Sequence, residues 1–127
     1  MFCVIAPNHK IRSLADFTDK EAQEFIFLTR KLRQGMRDIL GVKDVCLFQN
    51  KDTEHNFHLW VFHRHIWMEQ CGCKIESVRP IMNFAIANMT TKPVMKEVKD
   101  AVLKLFASIC GRLFYKIRTY ALGDLLR

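Results

Sequence analysis

Apolar positions along the chain follow two different repeats. Residues 2–6, FCVIA, form a short unbroken apolar run that stops at Pro7, which predicts a strand. Further on, Ala22, Phe25, Leu28, Leu32, Met36 and Ile39 recur at spacings of three and four, the stripe of an amphipathic helix. Thr18-Asp19-Lys20-Glu21 supplies its start: a hydroxyl to accept an early backbone N–H and a carboxylate three residues on to reach back. Gly41 stands where the helix would end, and Gly35 inside it lowers helix propensity without breaking it. Residues 44–49, DVCLFQ, predict a second strand. Residues 56–63, NFHLWVFH, dense in aromatic and β-branched types, predict a third. The polar segment KDTEH joins the two. A helix followed by two such strands predicts an antiparallel pair with the helix packed on one face, an α+β arrangement.

After residue 72 the spacing reads as helical. Pro80 suits a first helical turn, with Ile81, Phe84, Ala85 and Met89 as the buried face. Thr91-Lys92-Pro93 restarts a helix whose stripe is Val94, Val98, Val102, Leu105, Phe106 and Ile109, ending near Gly111. Residues 112–127 are cationic and apolar by turns, with no evident role.

Composition narrows the class. A chain of 127 residues suits one domain with a real core, and 50% hydrophobic residues argue against global disorder. No apolar run reaches the roughly 18 residues of a membrane helix, and the start lacks a secretory signal pattern. Five scattered cysteines, an odd number, fit reduced thiols and a cytoplasmic setting. The net charge of +7 favours an anionic partner, but the Lys and Arg residues are spread along the chain and mostly solvate helix faces. Lys104, Arg112, Lys116 and Arg118 accompany no nucleic-acid motif, so nucleic acid is not the expected partner.

Four of the five histidines fall in residues 50–67, NKDTEHNFHLWVFHRHIW. Alternation along a strand puts Asn56, His58, Trp60 and Phe62 on one face and Phe57, Leu59, Val61, His63 and His65 on the other. The smoothly apolar odd set reads as the core face, and the even set as the floor of a site. His58 therefore cannot share a metal with His63 or His65. A His63–His65 pair completed by Cys71 and Cys73 lacks the ligand spacing zinc prefers, so no metal and no cofactor is expected. His63 and His65 read as a strand end emerging into water. On periodicity alone, His58 reads as a half-buried histidine satisfied by a backbone partner.

The segment from Asn56 to Arg64 resembles the signature strand of the histidine-triad (HIT) superfamily, His-φ-His-φ-His-φ-φ with φ apolar, often followed closely by Arg. Residues 3–22, CVIAPNHKIRSLADFTDKEA, are similar to the family's strand, proline, His and helix entry. The resemblance spans about residues 1–70. It implies a HIT-like core over 1–70, lacking the family's usual N-terminal strands, with 71–127 as a helical C-terminal extension of the same domain. His58 takes the place of the family's nucleophile. The resemblance implies attack by His58 on the α-phosphate of a nucleoside phosphoramidate or dinucleoside polyphosphate, through a nucleotidyl-histidine intermediate. Asn50 matches the family's ligand-binding asparagine, and Thr53 stands in for a loop hydroxyl, with His55 just outside the frame. Asn56 and Trp60 occupy the first and third triad places, where the family has histidine. The family forms homodimers through its helix and an edge strand, and the same is expected here. The alternative is a non-catalytic HIT-like module that binds a nucleotide or a protein.

Overall fold

The structure is a computed structural model and describes residues 2–49, 56–72, 78–88, 92–107 and 115–120. It is mixed α and β. Strands β1 (Phe2–Pro7), β2 (Val45–Phe48), β3 (Leu59–His63) and β4 (Tyr115–Tyr120) form one antiparallel sheet in the order β2-β3-β1-β4. Around it lie helices α1 (Asp19–Asp38), α2 (Val78–Asn88) and α3 (Lys92–Ala107), with 3-10 turns at Leu14–Asp16 and Ile66–Cys71. No helix among the described residues is long and apolar enough to cross a membrane.

Helix α1 begins as its sequence dictates. The Thr18 hydroxyl accepts from the Glu21 N–H at 3.3 Å, and the Glu21 carboxylate accepts from the Thr18 N–H at 2.9 Å. The same device recurs one turn earlier, where Ser13 and Asp16 cap the Leu14–Asp16 turn. After α1, Gly41 adopts φ +65°, the left-handed conformation that glycine enters without a Cβ clash. The reversal lets the Val42 N–H return to the Met36 carbonyl at 2.9 Å. The buried stripe is shorter than the periodicity predicts: Leu28, Leu32, Gly35 and Met36 are buried, whereas Ala22 and Ile39 at the two ends are exposed.

Register sets the two faces of the sheet. Cys3 lies opposite Val61, Val4 opposite Trp60, and Phe48 opposite Trp60 on the other side. One face therefore carries Cys3, Ile5, Leu59 and Val61, and packs on Leu28, Leu32 and Met36 of α1, Val42, and Leu105 of α3. The opposite face carries Trp60, Phe62, Cys46 and Phe48, and packs on Met68 and Trp67 of the second 3-10 turn and Ile81 and Met82 of α2. This corrects the expectation that only the odd positions of β3 face a core. Val61 and Phe62 are neighbours on opposite faces, and both are buried. The even positions are aromatic, and so large an apolar surface is covered rather than left in water.

Two boundaries also differ from expectation. β3 starts at Leu59 rather than at Asn56, because the Phe57 N–H donates to the Ile11 carbonyl at 2.6 Å instead of joining the ladder. Phe57 is buried edge-on against Phe17 and Phe25. The segment 71–127, expected as a helical extension with no role for 112–127, contains β4, which pairs along the whole of β1 from Phe2–Tyr120 to Pro7–Tyr115. Its sequence, YKIRTY, alternates with a period of two, and that is the strand signal inside a stretch that is cationic and apolar by turns. β4 joins the sheet of the 1–70 segment directly. Of the predicted α2 and α3 stripes, Ile81, Ala85 and Leu105 are buried, and Phe84 is partly exposed. Met89, Ile109 and Gly111 lie outside the described residues.

Leu32 is fully buried between α1 and the sheet. Leu32→Ala should lower the free energy of unfolding by about 3 kcal/mol, through lost apolar contact and the cavity left behind. Thr18→Ala, which removes only the helix cap, should cost about 1 kcal/mol. Urea denaturation of the two variants checks both the size and the order of the effects.

Candidate functional site

His58 sits one residue ahead of β3, not in the middle of it. It is held there by its neighbours: Phe57 is anchored in the core on one side, and Leu59 opens the ladder on the other. Its Nδ1 lies 2.8 Å from the backbone carbonyl of Asn56. A carbonyl only accepts, so Nδ1 carries the proton in this bond, and the neutral ring has its lone pair on Nε2. This is the backbone partner that periodicity predicts, and it also fixes the tautomer a nucleophilic imidazole needs.

Trp60 forms one wall of the site. Its ring meets His58 edge-on, with centroids 5.7 Å apart and planes at 70°. On the β2 side it stacks flat on Phe48, at 5.8 Å and 4°. The indole is thus clamped between a neighbouring strand and the cluster around Phe62, Met68 and Ile81. Asn56 is exposed and contributes its carbonyl to His58. Asn50 and Thr53, with His55, lie outside the described residues. Of the five predicted site residues, the structure brings Asn56, His58 and Trp60 together.

His9, in the segment that resembles the family's strand–His–helix entry, has its Nε2 3.0 Å from Glu21 Oε1. Hydrogen bonds from Thr18 hold the Glu21 carboxyl below its ordinary value, so it is charged and ready to pair with a protonated His9. Burial pushes the Cys3 thiol up to about 11, so this core cysteine stays protonated.

The opposite end of β3 departs from the expectation of a solvated strand end. His63 and His65 do not emerge freely into water. They are partly buried, and their rings lie 3.8 Å apart, tilted by 38°. His65 in turn stacks on Trp67, and Trp67 on Phe84. Their shared face was legible from the i, i+2 spacing; their burial depends on the 3-10 turn, which has no clear period in the sequence. Burial, with the adjacent His65 ring adding to it, pushes His63 down to about 4. Burial also lowers His65. Among the described residues no group of three or more His, Cys, Asp or Glu side chains is placed to hold a metal ion.

Comparison of the chain with protein-family models, with curated proteins and with solved structures gives no match.

The His63 environment sets a pH dependence. An unfolded His63 titrates near its ordinary 6.5, while the folded residue titrates near 4. Between those values the unfolded chain binds the proton that the folded chain does not. Stability should therefore fall as the pH drops from 6.5 towards 4 and lose this contribution's slope below that window. In His63→Gln the urea midpoint should change less between pH 7 and pH 4.5 than in the wild type.

Proposed function

We propose that the chain is a HIT-like nucleotide hydrolase or transferase acting on nucleoside phosphoramidates or dinucleoside polyphosphates, with His58 as the nucleophile. The observation that carries this reading is the Nδ1 bond from His58 to the Asn56 carbonyl, which leaves Nε2 with the lone pair for attack. His58 is only partly buried, so a phosphate can reach it. In the reaction Nε2 bonds to the α-phosphorus, and the bond from phosphorus to the leaving group breaks. Water then cleaves the phosphorus–nitrogen bond and releases the mononucleotide. Asn50, Thr53, Asn56 and Trp60 are the proposed substrate-binding residues, with Asn50, Thr53 and Asn56 donating to phosphoryl oxygens as charge develops there. This route uses no metal or other cofactor. A cytoplasmic setting and a homodimer belong to the same proposal. Ile26 and Phe27 on α1 and Leu47 on the edge strand β2 are exposed apolar residues in the kinds of element through which the family pairs.

Trp60 favours a second reading, a non-catalytic HIT-like module that binds a nucleotide or a protein. The indole is locked on Phe48, and its single N–H is buried where the family has an imidazole.

Incubation with an adenosine phosphoramidate, quenched and followed by mass spectrometry, should show an adenylyl adduct on the peptide containing His58. The adduct should be absent in His58→Ala. A chain that binds the nucleotide yet forms no adduct would establish the module reading instead.

Trp60→His separates the two readings further. If the chain turns over, a second imidazole donor at the phosphate should raise the rate by on the order of a hundredfold, equivalent to roughly 3 kcal/mol. The melting temperature should fall, because the Phe48 stack is lost. Turnover and melting measured on one preparation check both effects.

A further inference from the structure

The His63 end of β3 borders an open hollow of about 460 Å³, lined by residues that include Lys43, Asp44, His63, Arg64, His65 and Trp67. β2 and β3 bring these residues together just beyond their last ladder pair. Val45 lies opposite His63, and the Arg64 N–H donates to the Asp44 carbonyl at 3.0 Å, so 43–44 runs beside 64–65. The hollow is far from His58: five residues of extended chain separate the two histidines, about 17 Å.

Two of the cations near it are held by backbone carbonyls. The Arg64 guanidinium donates to the Gly72 carbonyl, and the Arg33 guanidinium donates to the carbonyls of Val42 and Lys43. Lys43 and Arg64 line the hollow, and Arg33 lies behind it, against the carbonyl of Lys43. The carboxylates that act on the two histidines are Asp44, which favours the charged form of His63, and Glu97 of α3, which favours that of His65. The local balance is positive. The two imidazoles are in contact and neutral near pH 7, so each offers a ring N–H donor without adding charge. Trp67 adds an apolar aromatic side chain to the lining. Cations, neutral donors and an aromatic side chain around one concavity suit a small oxyanion that bears a planar group. They do not suit a cation, which would meet Lys43 and Arg64 and find no third ligand among the described residues.

We propose that this hollow is a second ligand site, distinct from His58, that takes a small soluble phosphate monoester: Lys43 and Arg64 bind the phosphate charge, His63 and His65 donate to its oxygens, and Trp67 contacts the substituent.

The test follows the histidine ring resonances by NMR in the His58→Ala chain, which removes the signal of the first site's histidine. Inorganic phosphate and phenyl phosphate are titrated at constant ionic strength against chloride. The His63 and His65 resonances should move saturably with one shared dissociation constant, and those of His9 should not. Phenyl phosphate should bind several-fold tighter than inorganic phosphate. Lys43→Ala should weaken both by roughly tenfold, the effect of losing one charge-assisted contact. No saturable movement with either probe at concentrations on the order of 10 mM, or equal affinity in a Lys43→Ala, Arg64→Gln chain, would overturn the site. Equal affinity for the two probes would overturn the role given to Trp67.

Discussion

The burial of β3 on both faces is the constraint on which the rest of the structure depends. Val61 and Phe62 are adjacent in the chain and point to opposite sides of the sheet, and neither is exposed to solvent. Each side needs its own cover: α1 and α3 on one, the 3-10 turn and α2 on the other. A slip of one residue would exchange the partners of the two clusters and bring Phe62 against the face shaped for Val61. Register is thereby fixed at the strand that carries the histidines. His58 at one end and the His63–His65 pair at the other are positioned by the same packing.

The two ends are built differently. At His58 the chain has left the ladder but is still tied down, because Phe57 is both buried and hydrogen-bonded to Ile11. That gives the imidazole a fixed root and an accessible ring. At His63 and His65 the rings lie against each other and against Trp67, so their surroundings are set by stacking more than by the backbone. One ring has its tautomer set by a single local carbonyl, and the other two are partly buried against each other.

Much of this was readable in the sequence because the signals were local. The cap at Thr18–Glu21, the stop at Gly41 and the buried residues Leu28, Leu32 and Met36 follow from spacing and side-chain chemistry alone. So does the backbone partner of His58. The signals that failed were those requiring knowledge of what lies across the fold. Trp60 and Phe62 read as the floor of a site because nothing nearby in the chain marks Met68 and Ile81 as their cover. YKIRTY read as a tail without a role because its partner, β1, lies at the far end of the sequence. His63 and His65 read as solvated because the 3-10 turn that shields them has neither a helical nor a strand period.

The pairing of β1 with β4 has a consequence for how the chain acquires its fold. Phe2 lies opposite both Phe62 and Tyr120, so the strand made early is completed only by segments made much later. Closing such long loops is entropically costly, and sheets dominated by distant pairings form slowly. On a ribosome adding about 5–20 residues per second, β1 would be exposed for seconds before either neighbour emerges. Helix α1, with its own caps, can form in that interval and offer Leu28 and Leu32 as a provisional surface for Cys3 and Ile5. The order of synthesis thus gives α1 a second role as an intramolecular guard for an unpaired strand, held until the end of the sheet arrives.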